Sequence, residues 1–556
     1  MISFMKPEYI NRYLQTAAKK NWILSVFLGA LIFLFWGGYL PHALSYAEQY
    51  QLFLWTPDYL LGCLGHPGGA AEWLETCLVQ FYYLLWLGAM ILALLFIGYQ
   101  RMVASWLKAE SFLLSLIPAI LLFWAMGDLD VLLSFPIAIM ASLAMAKIGV
   151  ANRWLDICKE MVLTPLVYWL IGPMAWLYVA LRIVVDYKRF IWLPLWLLAI
   201  QLVLWHTLLE QLPLHSVMCS MGYYRSPSVV PLLWIVPLSV LLCVLADRLY
   251  INKVLKWPVQ AIAVVVLGWL AVTRGYADER YELVWQDYQI RNEHWDDIIK
   301  RAEQKTVETA FWSNSVNLAL AERRQLADRM FDFYQSGIDA LLMNMVRDPF
   351  SNIPAAEAFY RLGMVNSAQR YMFDMQESIN NGRKSGRFTQ RIAECYIING
   401  KYDLAWKHLA LLKNSLFYKN WAEEAEQYLG DEAGINAHPV WGKLRQYRQK
   451  QDFLFYYPEM ASMLGSLFNG NRSNTMALDY FVAQVLLNGD APTFQQALPW
   501  VEQCGGYMQM PRGYQDALNC IQRQGNVPGS PYAAFISRML AKAQQQQNNQ
   551  VYETAH

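Results

Sequence analysis

Most of the signatures that announce chemistry are missing from this chain. Its eight cysteines include no CxxC pair, which excludes a zinc knuckle and a thioredoxin-type motif. There is no HExxH, no phosphate-cradling glycine loop and no Ser-His-Asp arrangement, so metalloprotease, P-loop and triad-hydrolase readings have nothing to rest on. A net charge of +1 argues against nucleic acid or a strongly acidic partner. No cofactor site and no metal-ligand set is read from the residues. Charge itself is scarce in the first half: 16 Lys/Arg and 13 Asp/Glu in residues 1–272, against 29 and 31 in the 284 that follow. That doubling of charge density at Thr273 is the mark of a membrane-embedded half followed by a water-exposed one.

What fills the first half is a series of apolar runs, at 22–40, 77–98, 111–126, 131–145, 162–180, 191–209, 229–246 and 257–272. Runs of 15 or 16 residues are short for a hydrocarbon layer of about 30 Å. Two of these, 111–126 and 131–145, are joined only by Gly127-Asp128-Leu129-Asp130 and read as a tight hairpin. Trp22, Trp55, Trp73, Trp257 and Trp269 fit interfacial anchors. The first run follows Lys6, Arg12, Lys19 and Lys20 and lacks a small-residue cleavage site, so a retained signal anchor with a cytoplasmic N-terminus is expected.

Basic residues then set the orientation. They cluster as Arg101 and Lys108; Lys147, Arg153 and Lys159; Arg182, Lys188 and Arg189; and Arg248, Lys253 and Lys256. Eight crossings would put the last two clusters outside, against the positive-inside tendency. The conflict disappears if 162–180, broken by Pro165 and Gly172-Pro173, is a re-entrant hairpin. Seven crossings then leave residues 273–556 outside, in the periplasm of a bacterium. The alternative is eight crossings with a cytoplasmic C-terminal domain.

Two longer loops face outward in the first arrangement. Residues 41–76 carry His42, Glu48, Asp58, His66, Glu72 and Glu75 around a Gly-His-Pro-Gly-Gly turn, and 210–228 carry Glu210, His215, Cys219 and Arg225. Arg225 reads either as a clamp on a lipid phosphate or as a snorkelling interfacial side chain. His206, within a predicted span, is either a relay or ligand group or a histidine hydrogen-bonded between packed helices. Cys158, Cys243 and Cys395 read as buried small residues. Cys63 with Cys77, and Cys504 with Cys520, are disulfide candidates if they face an oxidising compartment. The apolar runs offer no paired charges and no internal repeat, which argues against a transporter.

After 272 the pattern is helical throughout. Ala356, Phe359, Gly363, Ala368 and Met372 recur 37 residues later as Ala393, Tyr396, Gly400, Ala405 and Leu409. Small residues let helices approach, aromatics fill between them and glycine turns the chain. The second unit, with Asn399-Gly400-Lys401-Tyr402 before Ala405 and Trp406, resembles the tetratricopeptide repeat. Fainter units surround Ala483 and Ala497 across Asn488-Gly489, and Trp295 to Ala302. Such arrays bind peptides or protein segments on a concave surface. The Gln/Asn-rich end, 544–556, reads as a disordered tail.

The fold class expected is therefore all-α: a polytopic transmembrane bundle of about seven or eight spans over 1–272, then a soluble tetratricopeptide-like helical-repeat domain over 273–543. The stretch Gly65-His66-Pro67-Gly68-Gly69-Ala70-Ala71-Glu72-Trp73-Leu74, followed by Gln80-Phe81-Tyr82-Tyr83, resembles polytopic membrane proteins of Bacteroidota grouped as a family of unknown function. The architecture is also distantly similar to membrane glycosyltransferases of the C-type fold. That resemblance implies a polyprenyl-phosphate-sugar donor, an acidic general base in the first outer loop (Glu48 or Asp58) and Arg225 on the donor phosphate. The loop lacks the paired Asp-Asp, Asp-Glu or Glu-Asp of that pattern. Two functions follow. The first is an envelope scaffold or assembly factor, anchored in the lipid bilayer, whose helical array binds a protein or peptide partner. The second is a lipid-linked-sugar transferase.

Overall fold

The computed structural model describes residues 7–219, 230–248, 253–449, 457–523, 525 and 527–554. It is helical, with no strand among the described residues. The chain divides into two compact units between Tyr281 and Glu282, within three turns of the charge break at Thr273. The first unit comprises Met1–Tyr281 together with Asn380–Arg383 and Asn414–Phe417, and the second comprises the rest.

In the first unit the helices are α1 (Pro7–Leu34, continued by a π-turn at Phe35–Tyr39), α2 (Pro41–Gln49), α3 (Pro57–Leu64), α4 (Gly69–Val79), α5 (Leu85–Ala104), α6 (Leu116–Ala125) and α7 (Ser134–Met145). There follow α8 (Arg153–Ile171), α9 (Ala175–Val185), α10 (Tyr187–Phe190), α11 (Leu193–Thr207), α12 (Leu214–Cys219), α13 (Val230–Arg248) and α14 (Lys253–Arg274). Among the described residues, five helical segments are long and apolar enough to cross a membrane: Asn21–Tyr39, Leu85–Ala104, Arg153–Val185, Tyr187–Thr207 and Trp257–Arg274. Their outward faces carry exposed Phe27, Leu94, Val162, Leu195, Val203 and Val265, the kind of surface water does not tolerate and lipid does. Inside, Gln100 ties three segments together. Its amide accepts from Ser25 at 2.6 Å and donates to Ser115 at 2.6 Å, satisfying polar groups where no water is available.

The segment Arg153–Val185 is not straight. Asn152 caps α8, and Gly172, at φ 65° and ψ −146°, breaks the helix before Pro173. Arg182 near the end of α9 pairs with Asp156 at 3.0 Å and Glu160 at 2.9 Å near the start of α8, so the two helices run antiparallel. Lys159 and Arg189 join the same buried network, and Tyr178 donates to Glu160. These charges flank the 162–180 run on either side, so the pairing closes the base of the hairpin. Asp156 and Glu160 are four apart on one helix face, and the hairpin alone brings them to Arg182. At its tip, Gly172 meets the backbone of Gly68 from the Gly-His-Pro-Gly-Gly turn, and Gly68 donates to the Trp169 carbonyl at 2.8 Å.

Other expectations also change. All eight thiols are free, including Cys63, Cys77, Cys504 and Cys520, and Cys158 is exposed rather than buried. His206 lies in the last turn of α11, exposed beside Glu210, and is not packed between helices. Arg225 lies outside the described residues.

The second unit begins within α15 (Asp278–Arg291) and continues as α16 (Trp295–Gln304), α17 (Ala310–Glu322), α18 (Leu326–Arg329), α19 (Ile353–Leu362), α20 (Val365–Glu377), α21 (Gly386–Ile398) and α22 (Tyr402–Leu412). It ends with α23 (Lys419–Glu426), α24 (Glu432–Ala437), α25 (Trp441–Tyr447), α26 (Met460–Gly470), α27 (Thr475–Leu487), α28 (Ala491–Cys504), α29 (Arg512–Gln522) and α30 (Pro531–Thr554). The residues with 37-residue spacing fall on two helix–turn–helix hairpins, α19/α20 and α21/α22. Ala356, Phe359, Ala368, Ala393 and Ala405 are fully buried between helices. Tyr396 is half-buried and stacks on His408 at 5.6 Å. A further hairpin, α27/α28, turns at Gly489 with Ala483 and Ala497 inside. Helix α30 runs on through the Gln/Asn-rich stretch that composition reads as a disordered tail. Its start is fixed by buried Tyr532 and Phe535, and glutamine sustains a helix well.

One turn design recurs. Gly363, Gly400 and Gly489 each adopt the left-handed conformation, and each turn has the two backbone bonds of a Schellman motif. Examples are Gly363 N–H to the Tyr360 carbonyl at 3.1 Å and Met364 N–H to that of Phe359 at 2.9 Å. The same pair of bonds closes α15 at Glu293 and α17 at Arg324, where no glycine is present.

Candidate functional site

The loop predicted to carry a catalytic carboxylate folds as α2, α3 and α4. Thr56 caps α3, accepting from Tyr59 N–H at 3.3 Å, with Pro57 in the first turn. Asp58 stands exposed in that turn, where it favours the helix N-terminus. Glu48 is buried on α2. The two proposed bases therefore stand in opposite surroundings. The loop's charge is gathered instead on α4, where Arg383 forks onto Glu72 at 2.9 Å and Glu75 at 3.1 Å, and His66 lies 3.3 Å from Glu72. Glu75 has no exposed surface. A guanidinium shared by both carboxylates occupies their oxygens, which suits a structural clamp better than a general base. Burial, with Glu72 adding to it, pushes the Cys63 thiol up to about 11, so it is no nucleophile near neutral pH.

A larger opportunity lies within the helical unit. A cleft of about 870 Å³ opens between residues of α19, α21, α23 and α25 and the turns at Glu293 and Arg324. That volume falls in the range of sites that enclose a ligand. One wall is aromatic: His438 stacks on Trp441 at 4.1 Å, and Tyr428 meets Trp441 edge-on at 5.3 Å. His438 Nδ1 accepts from Val440 N–H at 3.3 Å and Trp441 N–H at 3.2 Å, which leaves its proton on Nε2. Burial lowers its pKa, so the ring is neutral at physiological pH.

The opposite side is ionic. Arg391 lies 3.8 Å over the Tyr360 ring and donates to Glu357 at 2.8 Å and Glu394 at 2.5 Å. Burial pushes the Glu357 carboxyl up, but Arg391, Arg387 and Arg361 outweigh it and hold it below the usual carboxylate range. Arg361 donates to Glu293 at 2.6 Å, pairs with Glu322 at 3.4 Å and covers the Trp295 ring at 4.8 Å. The charged groups of the cleft are thus held in paired positions beside an aromatic wall.

Sequence reasoning found the hairpins under this cleft and missed the residues that line it. Arg361, Arg391 and Trp441 lie on three different helices, and nothing local in the sequence announces their convergence. The one local signal was the lack of glycine where the turns at Glu293 and Arg324 require one.

No curated protein and no solved structure matches this chain. The model of a family of unknown function, DUF6057, matches residues 17–551, and the chain belongs to that family.

Proposed function

We propose that this is a multi-pass inner-membrane protein of a bacterial envelope, displaying a tetratricopeptide-like helical array whose cleft binds an extended segment of a partner protein. The observation that carries the reading is the cleft itself, with an aromatic wall facing a network of paired Arg and Glu. Binding arrays work this way, by shape and fixed charge and without catalytic groups. Seven crossings and a re-entrant α8/α9 hairpin suit the antiparallel geometry at Arg182 and the basic clusters at one face. The lipid-linked-sugar transferase reading gains less, since Glu48 is buried and Asp58 is exposed away from it. A photoreactive amino acid placed at exposed Lys443, on the cleft lip, should cross-link one discrete envelope protein in growing cells. The same probe at exposed Lys407 on α22, which does not line the cleft, should yield none. Equal products at both positions, or none at Lys443, would remove the reading.

A further inference from the structure

Glu293 and Arg324 are the only non-glycine residues with positive φ among the described residues, at 57° and 55°. Each occupies the turn position that Gly363, Gly400 and Gly489 fill in the sister hairpins. A Cβ is strained in that conformation, which is why glycine is the default there. Strain of this kind persists where a side chain is needed for something other than the fold. Both exceptions are charged, and both line the cleft, whereas none of the three turn glycines does.

Their surroundings suit contact with a ligand. The Glu293 side chain is 63% exposed even while it takes Arg361. Arg324 donates to the Gly505 carbonyl at 2.6 Å and lies 5.7 Å over the Tyr507 ring, which fixes its guanidinium at the cleft edge. We propose that Glu293 and Arg324 are specificity-determining residues of the cleft, a carboxylate and a guanidinium that together read an extended peptide carrying both a basic and an acidic side chain. This rests on the reading of the cleft as a peptide site. Four carboxylates and four Lys/Arg line the cleft, so a ligand of one sign meets as much repulsion as attraction. A neutral glycan would offer neither strained residue an opposite charge.

The test uses the full chain in detergent and fluorescein-labelled decapeptides of equal aromatic content, one mixing Lys and Asp, one with Lys alone and one with Asp alone. Fluorescence anisotropy should show the mixed peptide binding at least fivefold more tightly than either other. Glu293→Gly and Arg324→Gly should each weaken it at least fivefold while Tm stays at or above the parent value, since glycine relieves the strain. Glu293→Gln and Arg324→Gln, which keep the strain, should lose the same binding without any gain in Tm. If both glycine variants bind the mixed peptide within twofold of the parent while Arg391→Ala weakens it, the proposal is wrong and the peptide site stands. If no decapeptide binds, or a neutral chitooligosaccharide binds in their place, the peptide reading falls and this proposal with it.

Discussion

Asp479 lies on α27 with 3% of its surface exposed, and the Tyr507 hydroxyl donates to it at 2.7 Å. Burial pushes its carboxyl up to about 7, against the opposing pull of Tyr507 and Arg324. A carboxyl raised in the folded state stabilises the protein fully below its unfolded value of about 4 and loses that contribution as pH rises towards 7. Across that window the slope is up to about 1.4 kcal/mol per pH unit. Asp479→Asn removes the titrating group and keeps an acceptor for Tyr507. Denaturant unfolding of the helical unit within the solubilised chain should therefore weaken from pH 5 to pH 7 in the parent and much less in the variant. Equal slopes would mean that Asp479 ionises normally. Residues of this kind are hard to read from sequence, because burial depends on neighbours far along the chain. Ala356, Phe359 and Gly363 were readable because their roles are set by spacing within one hairpin.

At the scale of elements, the α8/α9 hairpin shows what a sequence does and does not announce. Gly172-Pro173 marks the break locally, since glycine alone adopts φ 65° with ψ −146° comfortably and proline cannot continue a helix. The ion network that closes the hairpin was not legible, because Arg182 lies 26 residues from Asp156 and meets it only once the chain has doubled back. Arg182 is 2% exposed and is shared by Asp156 and Glu160. Arg182→Met would remove the buried cation and leave Asp156 and Glu160 to Lys159 and Arg189 at the hairpin's base, at a cost of up to roughly 3–5 kcal/mol. Adding Asp156→Asn and Glu160→Gln should recover a large part of that loss. Thermal unfolding in detergent micelles can check both steps. A single Arg182→Met variant with the parent Tm would show that the network does not hold the hairpin.

For the whole molecule, the consequence turns on how many helices cross. The apolar, outward-facing residues of α1, α5, α11 and α14 favour lipid around the first unit, while the second buries its apolar faces within its own hairpins. Lys147, Arg153, Lys159, Arg182, Lys188 and Arg189 flank the hairpin at one end, and its tip at Gly172 meets Gly68 in the 41–76 loop. If that basic end faces the cytoplasm and the other seven apolar runs each cross, the hairpin returns to its starting side and parity puts the second unit outside. Alkaline phosphatase, which needs an oxidising compartment to fold, should then be active when fused after His556 and inactive when inserted at Gly149. Alkaline phosphatase inactive at both positions, with a cytoplasm-dependent reporter working at both, would mean that α8 and α9 together cross the membrane. The cleft would then face cytoplasmic partners, and the search for its ligand would have to begin on that side.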